Sequence, residues 1–406
     1  MNFSTQFKTE NNQLLFGGQT LARLALRAGQ TPFYAYSRNL IQERIRSLRA
    51  QLDPNVHLHY AIKANPMPAL VQFVAREVHG LDVASGGELH IALNAGGAPL
   101  HMSFAGPGKR EAELAQALAT GVLIHLESEH QARMLSALSQ KLNLPARVSL
   151  RVNPDFELKT AGMRMGGGAK PFGIDAEAIP ALLRQLPALQ LNFEGFHCFS
   201  GSQNLQADAL IEAHRASYAL LCQLAEHAPA PVRSFNLGSG FGIPYFSHET
   251  ALPLAPVLEN LNALAHKAQQ DFPEAHLVLE LGRYLVGEAG IYVTRIVDKK
   301  ISRGQIFYVC DGGLNHHLAA SGNFGQVIRK DYPVAIGNKM NIPINPNPAS
   351  LVGPLCTPLD ILTNKTPLPD AEIGDFVVVF QSGAYGASAS PQGFLSHPGP
   401  VEILVD

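Results

Sequence analysis

A lysine, a carboxylate, an arginine, a glycine-rich turn and a cysteine form the chemically suggestive set in this chain. Lys63 closes the run Leu58-His-Tyr-Ala-Ile-Lys63-Ala-Asn65-Pro66, which predicts a short apolar strand ending on an amine. Asn65 and Pro66 suit the N-cap and first position of a following helix. An amine held at a strand end can face a pocket and condense with a carbonyl, although a solvated lysine is the commoner outcome. Gly238-Ser239-Gly240-Phe241-Gly242 is a turn of small residues able to bring backbone N–H groups against a phosphate. Glu280-Leu281-Gly282-Arg283 adds an acid and a base three residues apart. An amine for a Schiff base, a phosphate cradle and an acid for a ring nitrogen are together what pyridoxal phosphate requires.

These groups need a frame that gathers strand ends. Short β-rich runs recur at 58–64, 80–85, 102–106, 122–127, 148–153, 191–200, 235–240 and 277–283. Between them lie helical patterns with leucines or methionine four apart, such as Leu89 and Leu93, Leu114 and Leu118, or Met134 and Leu138. Gly96 and Gly121 read as helix stops and Ser128 as a cap. Eight such alternations predict an α/β fold, a (β/α)8 TIM barrel, rather than a doubly wound open sheet. Chemistry in a barrel gathers at the carboxyl ends of the strands. Those ends carry Lys63, Asp82 with Ser85, Glu127, Arg151, His197 with Ser202, Gly238 to Gly240, and Glu280 with Gly282 and Arg283.

Thr31–Ser37 reads as an opening strand before the first barrel helix. After Arg283 the β-branched runs 291–301, 305–310, 376–380 and 401–405, broken by Gly and Pro, predict a C-terminal β-barrel or β-sandwich domain. The expected division is 26–283 for the barrel, with 1–25 and 284–406 forming the β domain. Residues 333–348, rich in Pro and Asn, suggest an exposed insertion.

Composition narrows the class. The chain has 406 residues, 46% of them hydrophobic, and a net charge of −2, which gives no electrostatic case for nucleic acid or an anionic membrane. No apolar run approaches the ~18 residues of a membrane span, and the polar start lacks a signal-peptide pattern. Cysteines at 198, 222, 310 and 356 form no CxxC, which suits a cytoplasmic protein and predicts neither disulfides nor a metal site. His316-His317 has no third ligand placed by sequence.

The motifs Tyr60-Ala-Ile-Lys63-Ala-Asn65, Arg151-Val-Asn-Pro154, Gly201-Ser202, Gly238-Ser-Gly-Phe-Gly242, Glu280-Leu-Gly-Arg283-Tyr284, Gly353-Pro-Leu-Cys356 and Gly383-Ala-Tyr385 run through nearly the whole chain in order. In this the chain resembles the fold type III pyridoxal-dependent decarboxylases, the diaminopimelate, ornithine and arginine decarboxylase family. Within that family it resembles the exosortase A system-associated decarboxylases. The resemblance implies an alanine racemase-like architecture, pyridoxal 5'-phosphate as cofactor and removal of an amino acid's α-carboxylate. It implies Lys63 as the Schiff-base lysine and Glu280 as the acid at the pyridine nitrogen. Ser202, Gly238, Ser239, Gly240, Arg283 and Tyr385 would hold the phosphate, and Asp82, Arg151, His197, Phe199 and Gly282 would complete the cofactor site. Cys356 would come from the partner subunit of a homodimer with shared sites, to protonate the carbanion. Arg283, Thr357, Asp360 and Tyr385 would face the substrate.

Three departures bear on the substrate. Phe199 stands where the family has a ring-stacking histidine, with His197 two residues earlier, and it can stack but not transfer a proton. Thr357 replaces the acid that follows the cysteine in the diamine enzymes, and only Asp360 lies near enough in sequence to substitute. Ala319 replaces an arginine of the diaminopimelate type. These changes point to an amino acid other than free diaminopimelate, such as an aminoacyl group tethered to a carrier protein. A racemase of the same fold is the alternative, but such racemases place arginine where Glu280 stands. Arg164–Gly168 and Lys170–Gly173 resemble a mobile loop over the site. A non-catalytic homologue would not need Lys63, Glu280, Arg283 and Cys356 together.

Overall fold

The structure, a computed structural model, describes residues 7–156, 163–324, 326 and 329–406. Eight strands carry the barrel: β1 (Val56–Ala61), β2 (Gly80–Val83), β3 (Met102–Phe104), β4 (Leu123–Leu126), β5 (Ala146–Asn153), β6 (Leu191–His197), β7 (Ser234–Ser239) and β8 (His276–Leu281). Each pairs parallel with the next, and β8 closes onto β1 with Leu277 opposite Val56 and Leu281 opposite Tyr60. All eight carboxyl ends therefore share one rim. The helices between them are set by local chemistry. Ser85 and Ser128 cap Gly86–Asn94 and Glu129–Leu142, and Gly121, at φ +74°, ends Glu111–Thr120 in the left-handed conformation.

One boundary differs from the sequence expectation. Ile62–Ala64 forms a single 3-10 turn, Asn65 is extended, and the helix begins only at Pro68. The Asn65 side chain is used one step earlier, its Oδ1 accepting the N–H of Met67 at 3.1 Å. The residue before a proline avoids helical geometry, and with prolines at 66 and 68 the chain stays extended between them.

The second compact unit comprises the residues up to Ile41, Pro244–Thr250 and Leu285–Asp406. Its long strand Gly290–Ser302 pairs antiparallel with Gln305–Cys310, Phe376–Val379 and Phe33–Ser37. Phe33–Ser37 also pairs parallel with Val401–Val405, so both its edges are taken and all five of its residues are buried. It is thus a strand of this curled sheet, and the compact units divide after Ile41 rather than at residue 26. Leu14, Phe16, Phe33, Ile291, Val378 and Phe380 form the core beneath the sheet. Within 333–348, Val334–Ile336 joins the sheet beside Phe376–Val379, while 341–344 are exposed. Among the described residues no helix is long and apolar enough to cross a membrane.

The barrel interior is unusual. Such interiors are ordinarily filled by branched apolar side chains. Here His57, His59, Ser103, His125, Asn236 and His276 line a cavity of about 430 Å³ at the amino-terminal mouth. His57 stacks on His276 with centroids 4.1 Å apart and on His79 at 4.9 Å. Burial first, and neighbouring imidazoles second, depress the pKa of His276 to about 3 and of His79 to about 4. Burial likewise takes His59 to about 3 against the opposing pull of Glu280. Unfolded histidines bind protons below about pH 6.5, whereas these remain neutral in the fold, so acid favours the unfolded chain. Stability should be full above pH 6.5 and decline towards pH 4, with buried His59 contributing at most about 1.4 kcal/mol per pH unit. Guanidinium midpoints at pH 7.5 and 5 should show a smaller acid loss in His59→Leu than in the parent; an equal loss would count against this origin.

Candidate active site

Glu280 is the electrostatic centre of the rim. It lies on β8, is buried, and its Oε1 accepts a hydrogen bond from Asn236 Nδ2 at 2.6 Å. His197 Nε2 lies 3.5 Å and His125 Nε2 4.0 Å from the same oxygen. Burial pushes the carboxyl pKa up, but His197, His125 and Lys63 nearby outweigh it, so Glu280 remains ionised far below neutral pH. Asp82, buried on β2 with one hydrogen bond from Ser103 Oγ at 3.1 Å, behaves oppositely. Burial and the charge of Glu280 raise its pKa well above the usual carboxylate range, partly countered by Lys63. Two neighbouring acids are thus driven apart, one charged and one neutral.

Lys63 is exposed at the end of β1, its Nζ 5.5 Å from the centroid of the Phe199 ring. Phe199 also abuts the Gly238 turn. A Cβ on Gly238, at φ +65°, would fall 2.3 Å from Phe199 Cδ2, and one on Gly240, at φ +77°, would fall 2.5 Å from the Gly201 carbonyl. Only glycine fits either position. The turn is fastened by Asn236 Oδ1, which accepts the Gly238 N–H at 2.9 Å, and by His214 Nε2, 3.2 Å from the Ser239 carbonyl. Ser239 Oγ donates to the Glu280 carbonyl at 3.1 Å. Ser202 sits on the adjoining short strand Gly201–Ser202, which pairs with Met163–Arg164.

Other expected residues have specific duties. Arg151 Nη1 donates to Glu127 Oε1 at 2.9 Å, and Phe172 covers the guanidinium at 5.1 Å. Glu127 also accepts the N–H of Gly106 and of Gly173, so this ion pair ties three rim loops together. A Cβ on Gly282 would lie 2.8 Å from Ala64 Cβ, which makes it the residue that lets β8 approach the Lys63 turn. Arg283 opens the short helix Arg283–Val286. The glycine-rich segment is hydrogen-bonded to Asn153, through the Gly167 N–H and the Gly168 carbonyl. Residues 157–162 before it lie outside the described set.

Cys356, Thr357, Asp360 and Tyr385 belong to the other compact unit. Cys356 is exposed on the loop that follows Ala349–Val352. Asp360, 2% exposed, accepts the N–H of Leu314 at 2.6 Å and of Leu355 at 2.8 Å. Its carboxylate is therefore committed to holding the cysteine loop against the 313–315 loop, and does not replace the acid missing at Thr357. Tyr385, at φ +53°, stacks on Phe324 with centroids 6.3 Å apart. Ala319 is buried. His316 and His317 face Pro398 O and Ser382 Oγ at 2.8 and 2.9 Å.

Residues 38–287 match the family model described as the pyridoxal-binding domain of pyridoxal-dependent decarboxylases. The chain belongs to that family. This pyridoxal-dependent decarboxylase is 36% identical over 385 residues to an L-glutamyl-[BtrI acyl-carrier protein] decarboxylase of Niallia circulans, spanning 92% of this chain and 89% of that one. It is 30% identical over 407 residues to a diaminopimelate decarboxylase of Aquifex aeolicus, spanning 100% and 93%. The structure of Helicobacter pylori diaminopimelate decarboxylase complexed with L-lysine superposes with a TM-score of 0.83 at 25% identity, covering 95% of this chain and 94% of that one. The decarboxylase is accordingly a carboxy-lyase that works with pyridoxal 5'-phosphate, on a (β/α)8 barrel with a curled-sheet domain.

The rim suits that cofactor. An exposed amine, an aromatic ring, a turn where any Cβ would clash, and a carboxylate kept ionised all lie within the barrel unit. Asn236, His125 and His214 were not singled out in the sequence. Their signal is a polar residue inside an otherwise apolar strand or helix face, which is weak without knowing which faces turn inward. Because Asn236 serves both Glu280 and the Gly238 turn, Asn236→Ala should weaken cofactor binding roughly ten- to hundredfold, the span for losing a hydrogen bond to a charged group. Absorbance titration of the apoenzyme would measure this, and unchanged affinity would refute the bridging role.

Proposed function

We propose that the enzyme decarboxylates an α-amino acid whose side-chain carboxyl is linked to a carrier protein, and that it does so as a cytoplasmic homodimer with shared active sites. The commitment of Asp360 to backbone N–H groups carries the substrate part of this reading. With Thr357 and Ala319 uncharged, a free distal ammonium or carboxylate would lack the partners that diaminopimelate needs. The glutamyl-carrier relative supports the same direction. The α-carboxylate must be free to leave as CO2, so a tethered substrate can be linked only through its side chain.

Lys63 would hold the cofactor covalently, Glu280 its ring nitrogen, Phe199 its ring face, and Gly238 to Gly240 with Ser202 and Arg283 its phosphate. When bound, pyridoxal phosphate supplies the electron sink for the pair left on Cα as CO2 departs. Glu280 keeps a proton at the ring nitrogen, and Asp82, held neutral beside it, adds no second negative charge. Arg151, Glu127 and Phe172 fix the loops that shield the rim. Cys356 of the partner subunit gives its thiol proton to Cα, which balances the one proton consumed for each CO2 released.

CO2 release should favour a glutamyl-carrier conjugate over free diaminopimelate by at least roughly a hundredfold in kcat/KM, the worth of a lost charge-assisted pair. Ordinary turnover of free diaminopimelate would sink the substrate assignment. Lys63→Ala should abolish both CO2 release and the visible band of the bound cofactor. Cys356→Ala should keep that band while slowing turnover roughly a hundredfold, as expected for a lost proton donor; wild-type turnover in this variant would remove the thiol from the scheme.

A further inference from the structure

The cavity at the amino-terminal mouth of the barrel has no part in the reaction described above, yet two of its lining residues, Asn236 and His125, approach Glu280. Its outer lining includes His101, Arg233 and Glu274, all exposed, so it opens to solvent. Its inner lining includes His59, Asn236 and His125. Asn236 donates to Glu280 Oε1, and His125 Nε2 stands 4.0 Å from the same oxygen. His125 is 1% exposed, and neither of its ring nitrogens has a hydrogen-bond partner in the protein; the same holds for His59 Nδ1. A buried polar atom left unsatisfied costs about 1–3 kcal/mol, and an apolar side chain would fill these positions without that cost. The polar lining therefore asks for an explanation.

Two simpler occupants fit poorly. The cationic side chains of the wall are already paired, Arg147 with Glu194 at 2.6 Å and Arg233 with Glu274 at 3.6 Å, which leaves little for an anion. His125, His197 and Glu280 place ligand atoms within 4.8 Å of one another, but the Glu280 oxygen that faces the histidines already accepts the Asn236 N–H.

We propose that this cavity is the route by which Glu280 exchanges protons with solvent, with His125 as the residue that positions and relays the proton. An imidazole can accept a proton on one nitrogen and release another from the opposite nitrogen, so it passes a proton without rotating through solvent. The groups facing His125 suit a relay that rests neutral. His197 on β6 lies 4.5 Å away between centroids, Glu280 faces it from β8, Lys109 Nζ donates to its carbonyl at 2.7 Å, and Arg151 stands on β5. His59 on β1, Ser103 on β3 and Asn236 on β7 complete the lining. Burial, then His197, holds the His125 pKa well below its ordinary value, with Lys109 and Arg151 adding to this and Glu280 opposing. Protons then pass to and from Glu280 at the end of the barrel opposite to the substrate, so the proton it would hold at the ring nitrogen exchanges with solvent while the rim is occupied. This inference rests on the assignment of Glu280 to the ring nitrogen made under Proposed function.

The test is exchange of the ring-nitrogen proton with solvent in the holoenzyme without substrate, followed by nitrogen-15 NMR of cofactor labelled at the ring nitrogen. In the parent the proton should exchange quickly, and in His125→Gln, which keeps the shape but cannot relay by titration, at least tenfold more slowly. His125→Ala should be equally slow, and added imidazole should restore the rate in the alanine variant but not in the glutamine variant. Wild-type exchange in His125→Gln, or an alanine variant that imidazole does not rescue, would overturn the relay. If the parent instead shows no cofactor band at all, the functional assignment itself fails, and the two failures are thereby told apart.

Discussion

A carboxylate kept ionised inside a closed barrel is the interaction on which the rest of this structure depends. Transferring Glu280 out of water is costly, and the chain offsets that cost from beneath. Asn236 supplies a short hydrogen bond, and His197 and His125 approach the same oxygen. Asn236 and both histidines must themselves be buried, which explains why the barrel interior is polar where such interiors are usually packed with branched apolar side chains. The cluster of neutral histidines at the amino-terminal mouth continues that polar column, and acid sensitivity is its physical cost.

The same carboxylate organises the rim. Asn236 links it to the Gly238 turn, and Ser239 links the turn back to the Glu280 carbonyl. Phe199 joins that turn to Lys63. Asp82 is the electrostatic counterpart, since two charged acids this close would repel and burial resolves the conflict by leaving Asp82 neutral. Phe199 brings no titratable group to this crowded set.

Local pattern made the barrel legible, because eight apolar runs with helical periods between them leave few alternatives. Lys63, Glu280 and the Gly238 turn were legible for a related reason: their chemistry is complementary and each ends a strand. What escaped was whatever depends on distant pairing. Thr31–Ser37 reads only as an opening strand within the 26–283 segment until Gly290–Ser302 and Val401–Val405 are seen on its two edges. Asn236 and His125 are single polar residues in apolar surroundings, and only closure of the barrel turns them toward one carboxylate. Asp360 shows the converse: its position after Cys356 suggests a substrate contact, but the loops around Gly313 and Gly353 fold onto its oxygens so closely that a Cβ on either glycine would collide with them. Sequence spacing says that an acid is near, and only the fold says which way it faces.

Under the proposed assignment, a charged Glu280 would hold a proton on the ring nitrogen of the bound cofactor. Nitrogen-15 NMR of the holoenzyme, loaded with cofactor labelled at the ring nitrogen, tests this without relying on turnover. The chemical shift of a protonated pyridine nitrogen is expected at neutral pH and should be lost in Glu280→Gln. An unprotonated ring nitrogen in the parent enzyme would contradict it.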